Sequence, residues 1–365
     1  MTWPATAAIV YERDGAFALE SVELDSLRDH EVLVRIAACG ICHTDLKFQS
    51  RVSLPCVFGH EGTGTVAAVG ASVSQVEPGD RVVLSYPWCG TCPSCLRGEP
   101  YRCVNIPQLK FGGCRSDGSL PVVRNGAGIT SAFFQQSSFA TCAVAMENVV
   151  VKVDTDLPAE LLAALPCGIQ TGAGAVLNAF YVGPGEALVV FGAGAVGLSA
   201  VMAAKIAGAD PIVAVDIVSS RIDLALELGA THAINANNED VVKRVKDVLP
   251  YGAQYALDCS ATEAGLKNAI DVIGQGGKVG IFSAPPAGET FPFTTRVLFE
   301  KVASLHGIVQ GYSVPRRFIP ELIRYQEAGL FPYERIVTTY PFEEINAAIA
   351  DTKSGTVIKP VLMME

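Results

Sequence analysis

The chain has 365 residues, of which 50% are hydrophobic and 18% charged, and its formal net charge is −10. That length predicts two domains, and the composition excludes a disordered chain. The acidic balance excludes a basic face for nucleic acid or anionic lipid, so neither is expected as a partner.

The start, MTWPATAAIVYERDG, has no basic leader and only a short apolar run, so no signal peptide is expected. The chain carries eleven cysteines. An odd number without a secretion signal argues against a disulfide framework and for the cytoplasm, where clustered thiols hold metal. Before residue 165, short β-like runs such as HEVLVRIAAC, GTVAAVG and DRVVLSY are divided by Gly, Pro and Asp. This texture predicts an irregular β-rich domain.

Within that domain, CGICHTD (39–45) and FGHEGTG (58–64) supply four candidate ligands, Cys42, His43, His60 and Glu61. CGTCPSCLRGEPYRC (89–103) sets Cys89, Cys92, Cys95 and Cys103 at the spacing C-x2-C-x2-C-x7-C. Four thiolates suit a tetrahedral Zn²⁺ and leave no open coordination position. This lobe, 86–105, is therefore expected to brace a loop rather than to react. An iron–sulfur cluster is the rival occupant. LPCGIQTGAG (165–174) then places Cys167 just before a glycine-rich region. Cys42, His60 and Cys167 would make a zinc site with a position left for water or substrate. The three lie far apart in sequence, and a buried free thiol or packed core histidine is the other reading of each.

The second half reads as a nucleotide fold. ALVVFGAGAVGLSAVMAAKIAGA (187–209) has the length and apolarity of a membrane helix. Its glycines cluster where a strand would turn into a helix, so it is read as buried βαβ structure and no membrane segment is expected. Gly192, Gly194 and Gly197 form G-x-G-x-x-G, and PIVAVD ends in Asp216, 19 residues past Gly197. A strand, this turn, a helix and an acid at that distance predict a dinucleotide site with the pyrophosphate at the helix N-terminus. Asp216 would hold the ribose hydroxyls and favour NAD over NADP, with Arg221 flanking the adenosine. Alternating helix and strand signals continue, which predicts a parallel doubly wound sheet. FTTRVLFEKVASLHGI is expected to hold the last strands of that fold, and the tail, RFIPELIRYQEAGL to TVIKPVLMM, to return to the first domain. The expected division is 1–168, 169–309 and 310–365, with a cleft between the domains.

Taken together, these stretches resemble the zinc-dependent medium-chain alcohol dehydrogenases over nearly the whole length and in motif order. CGICHTD looks like the family's first zinc ligand, GHEGTGTVAAVG its G-H-E signature, CGTCPSCLRGEPYRC its structural zinc lobe and VVFGAGAVG its cofactor motif. The resemblance implies a GroES-like catalytic domain, a Rossmann NAD-binding domain and two Zn²⁺ per subunit. Cys42, His60 and Cys167 would hold the catalytic zinc, with Glu61 behind it as an occasional ligand and Asp45 orienting His60. Thr44 would take the alcohol proton while a hydride passes to NAD. Relatives finish this proton relay with a histidine at the position of Lys47, which leaves Lys47 or water as the outer base. Thr171 would contact the nicotinamide end, and His43 and Lys359 the pyrophosphate. The resemblance also implies a homodimer or homotetramer.

FFQQSSFATCAVA (133–145) and LPCGIQTGAGAV are similar to the aryl-alcohol (benzyl-alcohol) dehydrogenase branch, and thiol-linked formaldehyde dehydrogenases are similar there too. Glutathione-linked members carry an arginine where a gap-free count reaches Pro107, and the next basic residue here is Lys110. Four residues before Cys89 stands Ser85, where liver-type relatives place a bulky aromatic. An aromatic primary alcohol, or its aldehyde in reverse, is therefore the expected substrate. A zinc-independent quinone or enoyl reductase and a non-enzymatic NAD-binding redox sensor are the other classes. Cys39, Cys56, Cys114, Cys142 and Cys259 are expected to be packing residues, and His30, His232 and His306 to lack ligand roles.

Overall fold

The structure, a computed structural model, describes residues 2–283, 290–293 and 295–364. It divides into two compact units: Met1–Cys167 with Val314–Glu327 and Tyr333–Glu365, and Gly168–Ser313 with Ala328–Pro332.

The first unit is built on two sheets. Trp3–Val10 pairs antiparallel with Ala18–Leu24, and its inner residues Ala7, Ala8, Ile9 and Val10 are fully buried. In the larger sheet Glu31–Gly40 is central, pairing with Gly62–Val69, Cys142–Met146 and Lys359–Met363. Such a strand is covered on both faces, so its sequence runs apolar instead of alternating. The core gathers Phe17, Phe58, Phe133 and Phe139 with the aliphatics of these strands. Each such side chain contributes roughly 1.5–3 kcal/mol by its burial. The C-terminal strand sets Lys359 beside the end of the central strand, where Ile41 N donates to Pro360 O at 2.9 Å.

The second unit carries a six-stranded sheet, all of it parallel. Across the sheet the order is His232–Asn235, Ile212–Asp216, Leu188–Phe191, Ala253–Asp258, Ile273–Ile281 and Ser304–Gly307. This is the doubly wound order in which the chain reverses direction at the first strand, where ligands meet the strand ends. LVVF and IVAVD are wholly buried, as inner strands of such a sheet must be.

The 187–209 run splits into the strand Leu188–Phe191 and the helix Ala195–Ala207. Among the described residues one helix has the length and apolarity to cross a membrane, Ala159–Phe180, and 72% of its most apolar window is buried. It contains the stretch read as glycine-rich. Gly172 and Gly174 serve packing there, since a Cβ on either would collide with the backbone of Val196 or Gly311. The turn widens at Leu165–Ile169 and again at Ala175–Phe180. FTTRVLFEKVASLHGI departs from its reading as strands. It forms the helix Thr295–Lys301, with Arg296 paired to Glu300 one turn on, and then a single strand, Ser304–Gly307.

Candidate active site

Cys42 caps the short helix His43–Lys47, and its Sγ accepts from Thr44 N at 3.5 Å. Asp45 Oδ2 reaches back to Cys42 N at 3.0 Å, closing a reciprocal cap in which a cysteine fills the usual Ser or Thr place. Thus pinned, Asp45 turns Oδ1 toward Gly59 N (3.2 Å) and His60 Nδ1 (2.8 Å). Cys167 lies in the widened turn Leu165–Ile169, a geometry common at functional positions. Its Sγ lies 3.8 Å from that of Cys42, too far for a disulfide. One ligand atom each from Cys42, His60, Glu61 and Cys167 falls within a 4.8 Å cluster.

Two atoms of this cluster, His60 Nε2 and Glu61 Oε1, are buried without a hydrogen-bond partner. Leaving such a group unsatisfied costs about 1–3 kcal/mol, and a metal ion satisfies both. With Nδ1 donating to Asp45, Nε2 presents its lone pair, the form that a metal binds. Two thiolates, an imidazole and a carboxylate are a donor set for zinc.

The acid–base balance of these four groups reflects protons that a bound cation would displace. Burial alone would lower the His60 pKa, but Asp45 and then Cys42 lift it to about 10. Cys42 and Cys167 share a proton across their contact, which holds the first thiol well below its usual range and the second well above it. Burial pushes Glu61 up to about 7 against the pull of Lys359.

Lys359, the residue that the resemblance assigns to the pyrophosphate, lies beside Glu61 in the first unit. It is 3% exposed, and its ammonium is paired with Glu61 Oε2 and lies 3.5 Å from Ile41 O. Burial works against the charged lysine, but Glu61 and Cys42 keep its pKa raised. A side chain this enclosed and already paired is not an open anion site. Gly40 keeps room for the pair, since a Cβ there would stand 3.0 Å from Lys359 Nζ and 2.9 Å from Ala163 O.

Sequence reasoning missed two residues that hold His60. Gln136 Nε2 donates to His60 O at 3.0 Å and Ser85 O at 2.9 Å, while its Oε1 accepts from Gly62 N and Ser138 Oγ. Phe134 stacks on the His60 ring, 4.4 Å between centres. It does so from a left-handed backbone, φ 51°, followed by Gln135 at 55° and Ser137 at 46°. Strain of this kind in residues other than glycine gathers at functional sites. The glutamines inside the apolar run FFQQSSF were the available signal.

In the lobe, Sγ of Cys95 lies 3.5 Å from that of Cys92 and 3.9 Å from that of Cys89. Cys103 joins them within 4.8 Å. Cys92 N points at Cys89 Sγ and Cys89 N at Cys103 Sγ, both at 3.3 Å. Backbone N–H groups aimed at sulfur suit thiolates, and the set suits a closed zinc site.

The glycine turn fits a dinucleotide. Gly192 has φ +95°, a Cβ on Gly197 would strike Gly192 O, and a Cβ on Gly194 would meet nothing within 4 Å. The first makes the turn, the second lets the helix approach, and the third leaves the space a pyrophosphate takes. Asp216 ends its strand with Oδ2 on Ala193 N and Oδ1 on Ile217 N and Val218 N, at 2.5, 2.8 and 2.9 Å. Arg221 is half-buried in the helix Ser219–Leu228, and Thr171 is buried in the second unit. Thr44 is half-buried, while His43 and Lys47 are exposed. His30 lies 3.7 Å from Glu147, and His232 and His306 pair locally with Thr231 and Ser304.

Residues 28–155 match the alcohol dehydrogenase GroES-like domain, and residues 195–325 match the zinc-binding dehydrogenase domain. The chain is 44% identical over 363 residues to geraniol dehydrogenase of Castellaniella defragrans, covering 98% of this chain and 97% of that one. The chain belongs to the zinc-dependent medium-chain alcohol dehydrogenase family. Two solved structures cover the whole of this alcohol dehydrogenase and are themselves wholly covered. An alcohol dehydrogenase zinc-binding domain protein from Burkholderia ambifaria is 46% identical with a TM-score of 0.98. Benzyl alcohol dehydrogenase from Acinetobacter calcoaceticus is 42% identical with a TM-score of 0.96. Family membership implies NAD and zinc as cofactors, and both cysteine clusters and the glycine turn fit them.

Proposed function

We propose that this alcohol dehydrogenase oxidises a benzyl-type aromatic primary alcohol to its aldehyde, reversibly, with NAD. The observation that carries the substrate class is an aromatic wall against His60. Phe134 stacks on that ring, Phe133 meets it edge-on at 5.8 Å, and Phe111 packs on both at 5.9 and 6.0 Å. Ser85 supports the same reading. It is fully buried, with its Oγ 3.4 Å from Pro166 O, beside Cys167, and is small where a larger side chain would crowd a ring. Geraniol and benzyl alcohol, named for two relatives, are both primary alcohols whose carbinol carbon adjoins an sp² carbon.

When bound, zinc supplies Lewis acidity at the substrate oxygen and NAD a hydride acceptor. Cys42, His60 and Cys167 would hold the metal, with Glu61 in reserve. Asp45 keeps the His60 proton on Nδ1, so Nε2 stays a ligand. Thr44, half-buried beside Cys42, would accept the hydroxyl proton while passing its own outward, with water or the exposed Lys47 in its amine form as the final acceptor. Gly192, Gly194, Asp216 and Thr171 hold the cofactor. The aromatic wall keeps water from the reacting carbon.

A homodimer or homotetramer belongs to the same proposal. It is supported by the outermost parallel strand, Ser304–Gly307, and by nearby Phe299 and Val302, 85% and 77% exposed.

The test is NADH formation by the purified protein from benzyl alcohol, ethanol and a thiol–formaldehyde adduct side by side. Fastest turnover on benzyl alcohol, abolished by a zinc chelator, is the expected result. Turnover mainly on the thiol adduct would overturn the substrate assignment and keep the family.

A further inference from the structure

Lys110 is a buried cation that forms no ion pair among the described residues. It lies on the helix Ile106–Phe111 and is 8% exposed. Among the described residues its contacts are aromatic: Nζ lies 4.9 Å from the Phe134 ring centre and 5.8 Å from that of Tyr86. Ring faces attract an ammonium, but they replace only part of the water it has lost.

The acidic groups of the His60 cluster are already engaged. Glu61 is paired with Lys359, and Asp45 with His60 and two backbone N–H groups. The thiolates of Cys42 and Cys167 cancel the charge of the divalent ion they would hold. Burial pushes the Lys110 pKa down to about 8, against the pull of Cys167 and Cys42.

The position of this charge gives it a role. Phe134 carries His60 stacked on it at 4.4 Å and Lys110 at 4.9 Å, so Lys110 stands one ring away from the metal-binding imidazole. It belongs to the same aromatic wall that supports a ring-bearing substrate. Resting on that substrate reading, we propose that Lys110 is a specificity-determining residue that receives an anionic oxygen at the far end of the substrate. The preferred alcohols then are aromatic primary alcohols carrying a carboxylate.

The test compares 4-(hydroxymethyl)benzoate with benzyl alcohol in wild type, Lys110→Met and Lys110→Arg, at saturating NAD. Binding of benzoate by calorimetry is a readout independent of turnover. Wild type is expected to favour the carboxylate in kcat/KM. In Lys110→Met the ratio of the two kcat/KM values should fall about a hundredfold, mainly through the KM of the carboxylate. Benzoate affinity should fall in parallel, and Lys110→Arg should restore part of both. Because methionine fills the cage without a charge, the ligand-free variant should melt at or above the wild-type temperature. A wild-type preference for benzyl alcohol, or equal losses on both alcohols in Lys110→Met, would overturn the proposal. If neither aromatic alcohol turns over while the thiol adduct does, the substrate reading fails on its own. Benzoate binding then decides on Lys110: dependence on the lysine keeps the anion site, and independence removes it.

Discussion

Asp45 Oδ1 lies 2.8 Å from His60 Nδ1, with the two side chains 0% and 1% exposed. The carboxylate is itself fixed by Cys42 N and Gly59 N, so one acid orients both the imidazole and the cap that carries a thiolate. Asp45→Asn keeps the shape but offers an amide that can donate to Nδ1 and move the proton to Nε2. Zinc affinity at this site should fall about 10–100-fold, with the Cys89 lobe unaffected. Metal content after dialysis against a series of zinc buffers checks this.

Asp216 ties the end of its strand to the glycine turn through Ala193 N. Asp216→Ala frees that turn and removes the charge that repels a 2′-phosphate. The KM for NAD should rise, and the ratio of kcat/KM for NADP over NAD should climb by about tenfold or more. Steady-state kinetics with both cofactors measure it. An unchanged ratio would count against the ribose role.

Ser85→Phe would place a ring beside Pro166 and Cys167. Overpacking a fully buried position costs about 1–3 kcal/mol, which a melting curve will show. The turnover of benzyl alcohol should fall far more than that of ethanol. Equal loss on both would remove Ser85 from the specificity account.

Arg115 links Glu31 and Asp25, at 2.8 and 2.6 Å, with side-chain exposures of 5% for Arg115, 4% for Glu31 and 35% for Asp25. Arg115→Met strands the Glu31 carboxylate in the interior, at a cost of about 3–5 kcal/mol. Denaturant unfolding at neutral pH reads this directly. The hydrogen bond from Arg115 is the leading cause of a lowered Asp25 pKa. Its contribution is therefore present above the unfolded carboxyl pKa and lost as pH falls through the lower folded one. In Arg115→Met that part of the acid dependence should flatten.

Motifs with local meaning were legible in the sequence. The four lobe cysteines carry their own spacing, and the glycine turn carries its flanking strand and helix, because each group is completed within a short stretch. The catalytic cluster was a weak reading from the residues alone, since Cys42, His60 and Cys167 meet only after the sheet folds. It was the family resemblance that joined them. Long-range pairings left no such trace. The Lys359–Glu61 pair depends on the C-terminal strand docking beside Gly40, which no local pattern records. Gln136 and Phe134 act from a strained loop, and Lys110 differs from a surface lysine only by what surrounds it. The helix Ala159–Phe180 was hidden because its glycines, which serve packing, stood out only as a glycine-rich region.

The central claim is that Cys42, His60 and Cys167 hold the metal that alcohol oxidation requires. The most direct measurement is the zinc content of Cys167→Ser taken together with its NADH formation from benzyl alcohol. Zinc should fall from two ions per chain to one, matching the loss of one of the two clusters, with turnover down by about a thousandfold or more. Two zinc ions retained, or turnover retained with one, would contradict the assignment.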